Sequence, residues 1–358
     1  MTEPELADLI PKPQFLQDLE QDGFVVVPNV LPKPSCDEFV EQAWEWLESA
    51  SHGFRRDDRS TWTAEHLPYG HDRGLYNRYC VNHEAFVWRI RSHPGILKVF
   101  SQVWGTDDLI ASFDGINISL PVNPEVGRTD IAATKPWPHI DQNPRTIDKL
   151  ELYQGIANIA PNGPLDGGLV VLSGSHKLHT EHFDSTGGFR AHQDSGLAEN
   201  GYNFLPEDVA WYHRQGCKQV KICANAGDLI LWDSRTIHWN CTPTQSQTRF
   251  AAYVCYCPRS RMSDEDLKTK SEIFDLRKGT THWPNKNIVP ADRPGYHYAK
   301  PRRPDDSLDS ANRERPFNEP HVTPSVLSLS WETAVNLLVF IFSTSSRSDV
   351  VSKRVCCR

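Results

Sequence analysis

Two histidines and one carboxylate stand in an order that can hold a metal: His139-Ile140-Asp141, and then His238 ninety-seven positions after Asp141. Such a set occupies one face of an octahedron around non-heme Fe(II) and leaves other positions open for a cosubstrate and O2. Arg249 follows His238 by eleven residues and adds a planar guanidinium fork that grips a carboxylate at two points. The chemistry to expect from this constellation is oxidation by O2 at Fe(II), with 2-oxoglutarate as cosubstrate.

The His-x-Asp tripeptide alone says little, because the chain has three: His139-Ile140-Asp141, His182-Phe183-Asp184 and His192-Gln193-Asp194. The chemistry needs the pair at the end of a strand, where residues i and i+2 point to one face. Residues 137–141 alone follow plausible strand sequence and leave enough later strands to carry a metal across a barrel. The distal half is more telling. A turn at Gly227-Asp228, an apolar strand to Trp232, a second turn at Ser234-Arg235 and the strand Thr236-Ile237-His238-Trp239-Asn240 put Thr236, His238 and Asn240 on one face. Arg249 opens the next strand on the face of Ala251 and Tyr253. An inward charge in a barrel is strongly disfavoured unless it is paired, and the far carboxylate of 2-oxoglutarate is a fitting partner.

Elements of the right kind surround these residues. Eight strand-like runs, 109–119, 136–141, 152–159, 168–172, 219–223, 229–232, 236–241 and 249–257, are spaced as in an all-β sandwich or barrel. They predict a mainly β fold with helical support (α+β), a double-stranded β-helix or jelly roll of the cupin kind. Helices are predicted at about 15–22, 34–49 and 94–104, with a strand from Phe24 to Val27 between the first two. One oxygenase domain is expected over 1–316: helical support to 108, a jelly-roll core at about 109–258, and a polar insert at about 174–216 expected to be a lid. Within that insert His176, His179 and His182 recur every third residue and are expected to be solvent-exposed lid residues rather than a second metal site. Residues 317–358 are expected to form a loosely ordered tail, whose apolar stretch is too short for a membrane span.

Trp137, Gln142, Asn143 and Arg145 flank the metal pair and would either line the mouth of a substrate pocket or shape the turn and rim beside it. Lys and Arg total 38 against 46 Asp and Glu, a net charge of −8, and no basic run is dense enough to follow a phosphate backbone. Nucleic acid is therefore not an expected partner; a small-molecule substrate is. Nine cysteines with no CxxC pair, together with an acidic N-terminus that lacks the order of a secretory signal, suit reduced thiols in a cytoplasmic protein. A homodimer is the assembly to be tested.

The chain resembles the phytanoyl-CoA dioxygenase-like family of Fe(II)/2-oxoglutarate oxygenases over most of residues 15–258. The resemblance rests on "DGFVVVPNVL", "VWGTDDLIASFDGINISLP", "WPHIDQNP", "GGLVVLSGSHKLH" and above all "AGDLILWDSRTIHWN" followed by "TRFAAYVCY". It implies that His139, Asp141 and His238 ligate iron and that Arg249 anchors 2-oxoglutarate. Asn240 stands where the family often has a serine assisting that anchor, and its amide can still donate a hydrogen bond. In related halogenating enzymes a small residue takes the carboxylate position, so Asp141 implies hydroxylation or a similar oxidation of an unactivated C–H bond, with succinate and CO2 as coproducts. A tailoring role in secondary metabolism is the expected setting. Two other classes are compatible with the residues: a cupin-like metal enzyme that uses no 2-oxoglutarate, and a non-catalytic jelly roll that binds a ligand.

Overall fold

A computed structural model describes residues 11–70, 74–188, 200–286, 288, 301–303 and 305–332. Helix α1 (Gln14–Asp22) ends at Gly23, whose φ of 80° turns the chain into β1 (Phe24–Val27). Any side chain at Gly23 would collide with Thr236 and His176, so here the glycine meets both a backbone and a packing demand. Then come α2 (Lys33–Ser49), β2 (Leu75–Tyr76), α3 (Ala85–Arg91) and α4 (Pro94–Trp104), followed by β3 (Leu109–Ala111), β4 (Ile116–Ser119), β5 (His139–Ile140), β6 (Tyr153–Asn158) and β7 (Asp166–Ser173). The insert carries α5 (His179–Thr186), β8 (Tyr202–Asn203) and α6 (Pro206–Arg214). It leads to β9 (Lys218–Lys221), β10 (Leu229–Asp233), β11 (His238–Pro243), β12 (Arg249–Tyr253), β13 (Tyr256–Pro258), α7 (Asp264–Asp275) and α8 (Pro324–Ser330).

Two antiparallel sheets face each other, one ordered β1-β10-β6-β12-β4-β2 and the other β8-β5-β11-β7-β9, with β3 and β13 paired separately. From β4 to β12 the chain passes back and forth between the two sheets, the winding of a jelly roll. Ile156, Ile230, Trp232 and Ala251 of the larger sheet meet Leu169, Val171 and Ile222 from the other side to form the barrel core. The opposite face of the larger sheet, with Ala157, Leu229, Leu231, Phe250 and Ala252, packs on Phe39, Trp46 and Leu47 of α2, Phe86 and Ile90 of α3, and Ile96 and Phe100 of α4. Burial on both faces explains why β10 reads as an unbroken apolar run rather than an alternation.

Several expectations change in detail. The run 109–119 is two strands in different sheets, and 249–257 is likewise divided between β12 and β13. The insert is not simply a lid. Phe183, Tyr202, Phe204 and Tyr212 form an aromatic cluster with Ile140, Val170, Leu172 and Trp239 on the outside of the smaller sheet, and β8 extends that sheet beside β5. Residues 189–199, and with them His192-Gln193-Asp194, lie outside the described residues.

His176, His179 and His182 are buried, at 7%, 2% and 1% exposure, not solvent-exposed. His176 Nε2–H donates to the Glu20 carbonyl, His182 lies 3.4 Å from the Asp208 carboxylate, and His179 accepts from the Tyr212 hydroxyl at 2.7 Å while donating to the Arg235 carbonyl at 2.5 Å. Their partners differ, so the three brace the insert rather than share an ion.

Of the expected tail, residues 317–332 are described, and they are docked. Phe317 and Asn318 backbone N–H groups donate to the Glu84 carboxylate. Val326 and Leu329 of α8 enter the main core, and Arg259 donates to the Ser328 and Trp331 carbonyls. Residues 333–358 lie outside the described set. No helix among the described residues is long and apolar enough to cross a membrane.

The buried imidazoles set an acid limit on the fold. Burial holds His179 down to about 4 and His83 well below the ordinary value, whereas in the unfolded chain both titrate near ~6.5. Unfolding therefore takes up protons between those values, so stability is full above the unfolded pKa and declines as pH falls toward 4. Urea midpoints of the metal-free protein in a pH series should drop across this window, with His179 alone contributing on the order of 3 kcal/mol. Midpoints that stay level from pH 7 to 4 would contradict this account.

Candidate active site

His139 and His238 are a cross-strand pair: β5 joins β11 at this one position, directly opposite. Their ring centroids are 4.3 Å apart. His139 Nδ1 lies 2.9 Å from the Trp137 carbonyl, and His238 Nδ1 lies 2.9 Å from the Thr236 carbonyl. A carbonyl only accepts, so each imidazole carries its proton on Nδ1 and turns the Nε2 lone pair inward, as metal-ligating histidines do. Asp141 follows β5 immediately, and its backbone N–H donates to the Ser234 carbonyl at 3.1 Å. Its carboxylate oxygens stand 3.8 Å from His139 Nε2 and 3.2 Å from His238 Nε2, and Gln154 Nε2 donates to it at 2.9 Å.

Among the described residues these three are the one cluster of three or more His, Cys, Asp or Glu side chains able to share an ion, with ligand atoms all within 4.8 Å of one another. Their electrostatics suit a cation. Burial, then His238, lowers the His139 pKa to about 4, which keeps the ring neutral and its lone pair free. Burial opposes ionisation of Asp141, but the imidazoles of His282, His139 and His238 outweigh it and hold the carboxyl well below its usual range.

Arg249 starts β12 opposite Ser119 of β4. It is 2% exposed, and Nε and both terminal nitrogens are buried without a hydrogen-bond partner among the described residues. A fully buried guanidinium with no acceptor is costly enough to need explanation. Gly168, at φ 103°, makes room for it: a Cβ there would lie 2.8 Å from Arg249 Nε and 2.8 Å from Asn162 Nδ2. Asn162 is itself held by the Gly167 carbonyl and by Lys221. Lys221 has a pKa lowered by burial and, further down, by Arg249. The cradle thus brings together two cations and leaves the guanidinium fork open to an anion.

Residues 19–242 match the family described as phytanoyl-CoA dioxygenase (PhyH). The chain belongs to this family. A curated relative from Aspergillus versicolor, "Ava biosynthesis cluster protein O", is 36% identical over 289 residues, covering 79% of this chain and 90% of that protein. Solved structures are similar at lower identity. The epimerase SnoN, in complex with Fe3+, alpha ketoglutarate and nogalamycin RO, is 16% identical with a TM-score of 0.45, covering 71% of this chain and 84% of its own. EctD from S. alaskensis is 14% identical with a TM-score of 0.45, covering 68% and 75%.

This PhyH-family protein is accordingly an oxidoreductase, a non-heme dioxygenase whose metal is Fe(II) and whose cosubstrates are 2-oxoglutarate and O2. Its other predicted site residues scatter around the triad. Trp137 stacks on His139 with centroids 5.6 Å apart. Gln142 is fully buried and is a bracket rather than a pocket residue: its amide donates to the Thr146 and Lys149 carbonyls and accepts from the Ser234 hydroxyl. Asn143 caps the short 3-10 turn Pro144–Thr146, and Arg145 is exposed. Asn240 is half-buried on β11, two residues beyond His238 and opposite Leu169. Thr236 lies before the strand, in the turn, where its hydroxyl donates to the Gly23 carbonyl.

Gln154, Asn162 and His282 are not among the site residues expected from the sequence. Gln154 had a usable signal, since with Ile156 and Asn158 it shares one face of β6 and an amide on a buried strand face needs a partner. Substituting Gly168→Ala tests the cradle: it should weaken 2-oxoglutarate binding by about tenfold or more, the order of one overpacked contact, while metal content is unchanged. Calorimetry on the metal-loaded variant reads this directly, and wild-type affinity there would show that the cradle is not where the cosubstrate lies.

Proposed function

We propose that His139, Asp141 and His238 ligate Fe(II), that Arg249 anchors the far carboxylate of 2-oxoglutarate, and that the enzyme hydroxylates an unactivated C–H bond of a small molecule in secondary metabolism, with succinate and CO2 as coproducts. The observation that carries this is the buried guanidinium of Arg249 without a hydrogen-bond partner among the described residues, in the same barrel as the three ligand side chains. A dicarboxylate supplies the missing counter-charge, which a cupin-like enzyme without 2-oxoglutarate would leave unexplained. Iron, when bound, supplies the redox chemistry that couples decarboxylation of 2-oxoglutarate to activation of O2. The chain contributes placement. The Trp137 and Thr236 carbonyls fix the ligand tautomers, and Gln154 and the Ser234 carbonyl orient Asp141. The apolar barrel core, with Ile156, Val171, Ile230 and Trp232, keeps water from the reacting centre. A carboxylate at position 141 favours hydroxylation over halogen transfer. The relative from an Aspergillus biosynthesis cluster supports the secondary-metabolic setting.

Two measurements test the assignment. His139→Ala and His238→Ala proteins, purified and loaded alike, should retain under about a tenth of wild-type iron, since ligands and their supports typically govern affinity by ten- to a hundredfold; full iron content in both would remove the site. Arg249→Met should cut 2-oxoglutarate affinity by a factor of about 30 or more, equivalent to at least ~2 kcal/mol for one partner of a buried charge pair. Because it also deletes an uncompensated buried charge, the same variant should unfold at a higher temperature than wild type when no 2-oxoglutarate is present. A destabilised variant that still binds 2-oxoglutarate would refute the anchor.

A further inference from the structure

Beyond residue 242, where the family match ends, the chain leaves α7 and returns to the barrel as the segment 280–286. Thr280 is tied to the stretch between β3 and β4 by two hydrogen bonds, its N–H donating to the Phe113 carbonyl at 2.9 Å and its hydroxyl accepting from the Phe113 N–H at 3.1 Å. Trp283, 2% exposed, is buried against Leu152 and Cys255. The Leu152 carbonyl accepts from the Ser234 N–H at 3.0 Å, and the Ser234 carbonyl accepts from the Asp141 N–H at 3.1 Å. The wall beneath Trp283 is therefore two backbone hydrogen bonds from the metal carboxylate. Lys286, paired with Glu151 at 2.6 Å, secures the far end of the segment.

Within this segment three polar atoms are buried and have no hydrogen-bond partner among the described residues: His282 Nε2, Trp283 Nε1 and Asn285 Oδ1. Such atoms are rare, and three in four residues mark a place where a ligand or ordered water belongs. His282 packs beside Trp283, ring centroids 5.8 Å apart, on the wall that carries Asp141, and its imidazole favours the ionised form of the Asp141 carboxyl. It is nevertheless not one of the side chains close enough to share the metal.

We propose that the segment 280–286 roofs the iron pocket and that His282 hydrogen-bonds the molecule held over the metal. This rests on the assignment of iron and 2-oxoglutarate to the barrel. It places recognition of the molecule above the metal on a part of the chain outside the family match.

Two experiments on the full chain test it. Wild type, His282→Ala and His282→Gln are loaded anaerobically with Fe(II) and 2-oxoglutarate and titrated with nitric oxide as a stand-in for O2. Loss of the imidazole should lower nitric oxide affinity by about fivefold, one hydrogen bond, and alter the paramagnetic resonance signal, and the amide of the glutamine variant should restore part of both. Identical affinity and signal in all three proteins overturns the role of His282.

In the second experiment O2 is admitted to the wild-type protein with 2-oxoglutarate but no added substrate. One oxygen atom then goes to succinate, formed with loss of CO2, and the other enters a nearby C–H bond of the protein. Peptide mass spectrometry should find that oxygen on Trp283 or His282, whereas oxygen only on other segments overturns the roof. A wild-type protein that takes up neither Fe(II) nor 2-oxoglutarate would overturn the iron assignment itself and this proposal with it.

Discussion

The register between β5 and β11 is the constraint on which the site depends. β5 is two residues long, held between β11 and β8, and it sets His139 directly opposite His238. A slip of β5 by one residue would turn His139 to the other face while β7 held His238 in place, and so short a strand cannot fix its own register. The smaller sheet does it instead. Ile140 is buried in the aromatic cluster of the insert, β8 pairs along the outer edge, and the Asp141 N–H is tied to the Ser234 carbonyl. The described part of the insert, expected to be a polar lid, is thus the scaffold that holds His139 opposite His238.

The barrel and the clustering of His139, Asp141 and His238 were legible in the sequence because they depend on local patterns: period-two alternation, turn residues and the strand–turn–strand arrangement that delivers His238. What was misread depends on distant partners. The burial of His179 is invisible locally, because the groups that satisfy its ring are the Tyr212 hydroxyl and the Arg235 carbonyl. For Gln142, which the sequence allowed as either pocket or turn residue, the choice is made by a distant group as well: its amide donates to the Thr146 and Lys149 carbonyls and accepts from the Ser234 hydroxyl. The long runs 109–119 and 249–257 divide where the chain leaves the large sheet for the small β3–β13 ribbon, a tertiary event that β-propensity does not record. Nothing in the local sequence links His282 to a carboxylate far upstream.

The helical layer and the C-terminal segments serve the same end by different routes. Helices α2, α3 and α4 cover one face of the larger sheet with aromatic and aliphatic side chains, which leaves that sheet's other face free to supply Gln154, Ile156 and Arg249 to the interior. Helix α8 and the strap after α7 then lean on β3 and on the ends of β6 and β12. The family match at 19–242 covers the barrel as far as β11, while β12, the segment 280–286 and α8 lie beyond it.

Arg249 carries a consequence for the protein outside the reaction. A ligand that binds the native state alone stabilises it by mass action, and 2-oxoglutarate at the proposed Arg249 anchor would be such a ligand. The amount of folded enzyme in a cell then rises and falls with the supply of a central-carbon metabolite. A scarcity of 2-oxoglutarate would slow turnover and, through chaperones and proteases that act on the unfolded fraction, thin out the catalyst as well.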